Sequence, residues 1–202
     1  MTNGVRRRRV DYELIEEMIA PGSRVLDLGC GDGALLQELV EQKNVVGRGV
    51  EINDQRVLEC VDRGLAVFHG DLIEGLSYYG DQSFDTVILS QTLQQTLDPR
   101  KVLREMLRVG KRAIISFPNF GHWSIRLQLV FTGRMPRTRH LPHQWYDTPN
   151  VHLLTVRDFR EFAGKEGTRI LREVFLNLGG RRMIPLLENW RASTAIFLLE
   201  KA

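Results

Sequence analysis

Three short stretches of this 202-residue chain combine residue types and spacings suited to holding a charged nucleoside. The first is Asp27-Leu28-Gly29-Cys30-Gly31-Asp32-Gly33. An apolar run precedes it, and Leu35, Leu36, Leu39 and Val40 follow on one helical face, which is the strand–turn–helix setting a nucleotide-type loop requires. Glycines let the backbone turn sharply and approach a ligand with no Cβ in the way. The spacing is G-x-G-x-G rather than the G-x-G-x-x-G of pyrophosphate binders, and Asp27 would repel a diphosphate but suit a cation or ammonium. The second stretch ends at Glu51, 20 residues after Gly31, where a carboxylate can accept both hydroxyls of a ribose. The third is His69-Gly70-Asp71-Leu72, in which Asp71 is placed to accept from an adenine amino group. Each acid alone reads as a solvated loop residue and the glycines alone as a tight turn. At the ends of successive strands they converge on one crevice at the carboxyl edge of a sheet.

The elements that must position these residues alternate. Residues 25–28, 45–50, 65–69, 84–89 and 113–117 read as short buried strands. Between them, Asn53 caps a helix expected to bury Val57, Leu58 and Val61 and to stop at Gly64. Asp98-Pro99 opens a helix that buries Val102, Leu103, Met106 and Leu107 and ends at Gly110. Residues 123–131 fit both periods, but Gly133 and Pro136 look like a helix stop, so a helix is expected. Thr155 with Asp158 opens another, with Phe159 and Phe162 inward. Residues 170–176 and 194–199 read as a final pair of strands. The expectation is an α/β fold: a Rossmann-like, doubly wound, mostly parallel sheet with an antiparallel C-terminal strand.

Composition narrows the classes. Hydrophobic residues at 43% and charged residues at 26% are ordinary globular values, which argues against a disordered or fibrous chain. No apolar run approaches the ~20 residues of a membrane span and no signal-peptide pattern opens the chain, so a cytoplasmic protein without membrane association is expected. Cys30 and Cys60 cannot form a disulfide framework. The net charge of +3 contains Arg6, Arg7, Arg8 and Arg9, so the chain beyond Val10 sums to −1. That neutral body argues against a dedicated nucleic-acid binder. Residues 1–10 read as a basic tail and 11–202 as a single domain, within which the long, proline-punctuated stretch 118–149 is expected to act as a lid or a partner-binding segment.

The stretch from Asp27 to Gly33, with Glu51 and Asp71, resembles the cofactor motifs of class I S-adenosylmethionine-dependent methyltransferases; Phe84-Asp85-Thr86-Val87 and Asp98-Pro99 resemble their later motifs. A narrower resemblance covers almost the whole chain. Residues 24–33, Phe117-Pro118-Asn119-Phe120-Gly121-His122-Trp123 and Trp145-Tyr146-Asp147-Thr148-Pro149-Asn150 are similar to the methionine-biosynthesis protein W (MetW) family. The resemblance implies S-adenosylmethionine or S-adenosylhomocysteine as ligand, held by Asp27, Gly29, Cys30, Gly31, Gly33, Glu51, Asp71, Leu72 and Ser90. It also implies association with homoserine O-acyltransferase, the enzyme that commits homoserine to methionine.

A catalytic base is not apparent. Leu89-Ser90-Gln91-Thr92 stands where amino-methylating nucleic-acid enzymes carry an Asn/Asp-Pro-Pro-aromatic cluster, and Leu93-Gln94-Gln95 stands where many small-molecule members carry histidine. Glutamine cannot act as a base near neutral pH. His122, His140, His143 and His152 remain, with His122 best placed for an acceptor, and His140/His143 lack a third metal ligand. Both cysteines read as packing residues. Finally, no acid lies between Met106 and Tyr146, while Arg126, Arg134, Arg137 and Arg139 are interleaved with Phe120, Trp123, Phe131, Trp145 and Tyr146. Arginine and aromatics are what protein interfaces favour, so a protein partner is expected there ahead of RNA or an acyl-CoA. The functional expectation is a cofactor-binding partner or regulator of the acyltransferase, with a small-molecule methyltransferase as the alternative and an RNA methyltransferase behind both.

Overall fold

A computed structural model describes residues 10–138 and 141–202. Among the described residues seven strands form one sheet: β1 (Arg24–Leu28), β2 (Val46–Glu51), β3 (Val67–His69), β4 (Phe84–Ser90), β5 (Gly110–Pro118), β6 (Thr168–Leu176) and β7 (Thr194–Lys201), in the order β3-β2-β1-β4-β5-β7-β6. The pairs among β1 to β5 are parallel, while β7 runs antiparallel to both β5 and β6. This is the expected doubly wound sheet with its antiparallel C-terminal strand. The order reverses between β1 and β4, which opens the crevice beyond their carboxyl ends where such sheets bind ligands.

Side chains alternate across the strands at a period of two, and each face builds its own core. On one face Leu26, Val87, Leu89, Ile115 and Phe197 pack under α4 (Leu72–Ser77), α5 (Pro99–Val109) and α7 (Val156–Lys165). Phe117, Phe159 and Phe197 are mutually in contact there, with centroids 4.6 to 5.8 Å apart. On the other face Val25, Ile88, Ile114 and Ile196 pack under α1 (Val10–Glu16) and α2 (Ala34–Lys43). Three further helices, α3 (Asp54–Asp62), α6 (Trp123–Thr132) and α8 (Glu188–Arg191), complete the described fold.

The helix signals are realised where a cap specified them. Asn53 caps α3 by accepting from Arg56 N–H, and Asp98 caps α5 by accepting from Lys101 N–H. Thr155 and Asp158 form a reciprocal capping box on α7. The ambiguous stretch after β5 is the helix α6, closed by Gly133 in the left-handed region. One inward face differs: α3 buries Cys60, whereas Leu58 and Val61 are exposed. Apolar residues lie on both sides of that helix, and it is turned by Cys60, which packs against the glycine loop. The basic run Arg6 to Arg9 lies outside the described residues, and Val10 already belongs to α1.

Candidate functional site

The glycine loop leaves β1 with Gly29, Gly31 and Gly33 at φ of +66°, +60° and +75°. L side chains rarely adopt such angles, which is why glycine occupies all three. The loop is pinned to the end of β2: the N–H groups of Gly29 and Cys30 both donate to the Val50 carbonyl, at 2.8 and 3.1 Å. Glu51 then fixes it from the side. One carboxylate oxygen accepts the Gly31 N–H at 2.8 Å, and the other accepts the N–H groups of Ile52 at 3.0 Å and Asn53 at 2.9 Å. This carboxylate is buried, and three of its roughly four lone-pair positions are already engaged by backbone.

Asp27 lies at the end of β1 and is only 2% exposed. Asp71 follows β3 and caps α4 by accepting the Ile73 N–H at 2.8 Å. Ser90, at the end of β4, lies 3.1 Å from the Ser116 hydroxyl on β5. The next residue, Gln91, has φ +57°, an uncommon setting for a residue with a side chain, and its N–H donates to the Ser116 carbonyl at 2.9 Å.

These groups face one cleft of about 880 Å³. Asp27, Gly29, Cys30, Gly31, Glu51, Asp71, Leu72 and Ser90 all line it. Gly33 does not. A Cβ there would lie 2.4 Å from Leu65 Cδ1 and 2.9 Å from Cys60 Sγ, so close packing against these two side chains requires glycine at this position. The lining also carries residues the motifs did not point to: Tyr12 on α1, Arg56 on α3, Gln91, Gln95 and Lys101 on α5. Spacing in Leu14 and Ile15 could have signalled α1, but nothing in the sequence announced the conformation of Gln91. Among the described residues, six carboxylates (Asp27, Asp32, Glu51, Glu59, Asp71 and Asp98) face two cations, Arg56 and Lys101. A cleft of that sign favours a cationic ligand over a phosphate.

The two thiols lie behind the loop. Their sulfurs are 3.9 Å apart, and Cys60 donates to the Gly31 carbonyl at 3.2 Å. Burial pushes the Cys30 thiol far up, and the Asp27 carboxylate adds to the effect; burial also raises Cys60. Neither is a nucleophile in this setting. Among the described residues no histidine lines the cleft. His122 is buried as the N-cap of α6, with Nδ1 2.7 Å from the Ser124 hydroxyl. His143 and His152 are exposed, and His140 lies outside the described residues.

The residues present fit an adenosyl sulfonium compound: backbone glycines at the loop, a carboxylate at each of three strand ends, Leu72 and Ile73 as apolar walls, and an excess of negative charge. The volume lies within the roughly 300–1,000 Å³ of small-molecule sites.

Comparison with known proteins agrees with this frame. Residues 9–199 match the family described as "Methionine biosynthesis protein MetW". The chain is 38% identical to the bifunctional methionine biosynthesis protein MetXA/MetW of Rhodopirellula baltica over 95% of its own length and 33% of that protein's. It is 31% identical to a ubiquinone biosynthesis O-methyltransferase of Hahella chejuensis over 51% of its length and 44% of that protein's. The chain thus spans between a third and a half of these relatives. Its fold resembles that of a SAM-dependent methyltransferase from Thermotoga maritima, with a TM-score of 0.67, 16% identity, and coverage of 96% of this chain and 90% of that one. With the family match running almost end to end over a methyltransferase-type sheet, the chain belongs to the methionine biosynthesis protein MetW family.

Proposed function

We propose that this protein binds S-adenosylmethionine in the cleft at the ends of β1, β2 and β3, and that it acts with homoserine O-acyltransferase in methionine biosynthesis, the occupancy of the cleft setting the acylation rate. The observation that carries the cofactor reading is the buried Glu51 carboxylate, which holds the glycine loop through Gly31 and borders the cleft with Asp27 and Asp71. When bound, the cofactor supplies a methyl group activated by a sulfonium centre. The chain itself contributes the loop that admits the ligand backbone-first, the carboxylate excess that favours its positive charge, and the apolar walls Leu72 and Ile73.

The partnership is supported by the family resemblance and by the Rhodopirellula relative, whose name joins MetXA to MetW in one polypeptide of which this chain matches a third. An effector that is also the downstream product of a pathway regulates it only if the cofactor binds the free and complexed forms with different affinity. Equal affinities in a titration would refute the regulatory part. The cytoplasm is the compartment this role requires. Among the described residues no helix is long and apolar enough to cross a membrane.

A second reading, methyl transfer to a small molecule, is favoured by Tyr12, Gln91, Gln95 and Lys101, which extend the cleft beyond the residues expected to hold the cofactor. Transfer of a labelled methyl group to a metabolite in a cell extract, lost on Glu51→Ala, would establish it.

A further inference from the structure

Six of the ten residues of α6 are large and apolar, yet only Ile125 is buried. No residue of this helix belongs to either core layer of the sheet. Val130 and Phe131 are 74% and 80% exposed, and Trp123 and Leu127, on the same helical face, are also exposed. A contiguous apolar face of this kind marks an interaction surface on a soluble protein.

The helix is held rigidly in that exposed position. His122 caps its start and Gly133 closes its end. Arg126 donates to the Gly121 carbonyl at 2.7 Å and lies 5.2 Å over the Trp190 ring. Beneath it, the buried Asn119 amide donates to the carbonyls of Asn189 and Ala192 and accepts from Gly121 and Val156. The segment beyond is fastened back by Arg137 N–H to the Gln128 side chain at 2.8 Å. Residues 117–123 therefore build a mount for α6, not a wall of the cleft. A preorganised apolar face loses little entropy on binding.

Charge identifies the occupant. Arg134 and Arg137 follow the helix, in a stretch from Met106 to Tyr146 with no acid. A second copy would bring the same basic rim against itself. A lipid surface would need cations along the helix, but the one charged side chain of α6, Arg126, is engaged with Gly121 and Trp190.

We infer that the exposed face of α6 is the docking surface for a protein whose matching patch is apolar at its centre and rich in carboxylates at its rim, and that this protein is the homoserine O-acyltransferase. The inference rests on the partnership proposed above. Its test is the affinity of the full chain for the acyltransferase of the same organism, measured by sedimentation or calorimetry. Val130→Asp with Phe131→Asp should weaken the complex about 30-fold or more, since central apolar anchors carry that much, while S-adenosylmethionine affinity stays unchanged and reports an intact fold. Arg134→Glu should weaken it less and flatten its salt dependence. An undiminished complex with the double variant overturns the surface and leaves the partnership standing. Absence of any complex with the unaltered chain overturns both. Self-association, or binding to phosphatidylglycerol vesicles, that is lost in the double variant would assign α6 to a different occupant and overturn the inference.

Discussion

The backbone carbonyl of Gln94 accepts the Val151 N–H at 2.8 Å, and so joins the wall of the cleft to the segment that carries Trp145 and Tyr146. The same carbonyl accepts the His152 N–H at 3.0 Å, and the Gln94 side-chain amide donates to the carbonyl of Gln91, which lines the cleft. Gln94 is buried, and its side-chain oxygen has no hydrogen-bond partner among the described residues.

This arrangement predicts a variant that separates stability from coupling. Gln94→Met forfeits one hydrogen bond but also removes a buried carbonyl that none of the described residues satisfies, terms of about 1 and about 1–3 kcal/mol that oppose each other. Thermal unfolding should therefore move little. With one tether of Gln91 removed and those to Ser116 kept, the dependence of partner activity on S-adenosylmethionine should shrink. A large fall in Tm, or an unaltered cofactor response, would count against this role.

The loop glycines should part company. Gly31→Ala places its Cβ toward the cleft, 3.6 Å from the Arg56 guanidinium, and costs ~1–2 kcal/mol of backbone strain, with loss of cofactor binding as the larger effect. Gly33→Ala carries the same strain and also drives a Cβ into Leu65 and Cys60, so denaturant unfolding should show a further ~1–3 kcal/mol lost. Equal stability of the two variants would contradict the division between ligand approach and packing.

Glu51→Ala leaves the N–H groups of Gly31, Ile52 and Asn53 without their acceptor and removes the carboxylate proposed to hold the cofactor. Cofactor affinity should fall roughly 10- to 100-fold, the value of one charge-assisted hydrogen bond. Glu51→Gln should recover only part of this, because its NH2 group must face one of those N–H donors. Calorimetric titration that finds Gln equal to Glu would exclude the proposed arrangement.

Both thiols are shifted upward by burial, so at pH 8 each holds less thiolate than a free cysteine. Alkylation by iodoacetamide should be slow in the native protein and fast after unfolding. S-adenosylmethionine, by steadying the loop that covers both thiols, should slow native labelling further. Native labelling at the rate of free cysteine would show that the loop opens.

How much of this was legible follows from which signals are local. Asp98-Pro99 and the Thr155/Asp158 pair state their caps in adjacent letters, and the structure forms both. The crevice residues could be grouped because they lie at or just past the carboxyl ends of mutually parallel strands. Leu58 and Val61 misled because periodicity gives the stripe of a helix but not which of two apolar stripes turns inward; contact between Cys60 and the loop decides that. Gly33 resembled Gly29 and Gly31 in sequence, yet its neighbour in space is Leu65, 32 positions away. Gln91 gave no sign, since its left-handed backbone is imposed by Ser116 across the sheet.

If cofactor occupancy of this cleft sets the rate of the partner enzyme, as proposed, the two must respond together. The measurement is homoserine acylation by the acyltransferase of the same organism, with and without this protein, over a range of S-adenosylmethionine. The expected result is a rate change that requires this chain, depends on the cofactor and shifts to higher cofactor concentration in Glu51→Ala. A rate indifferent to the chain at every cofactor concentration would contradict it.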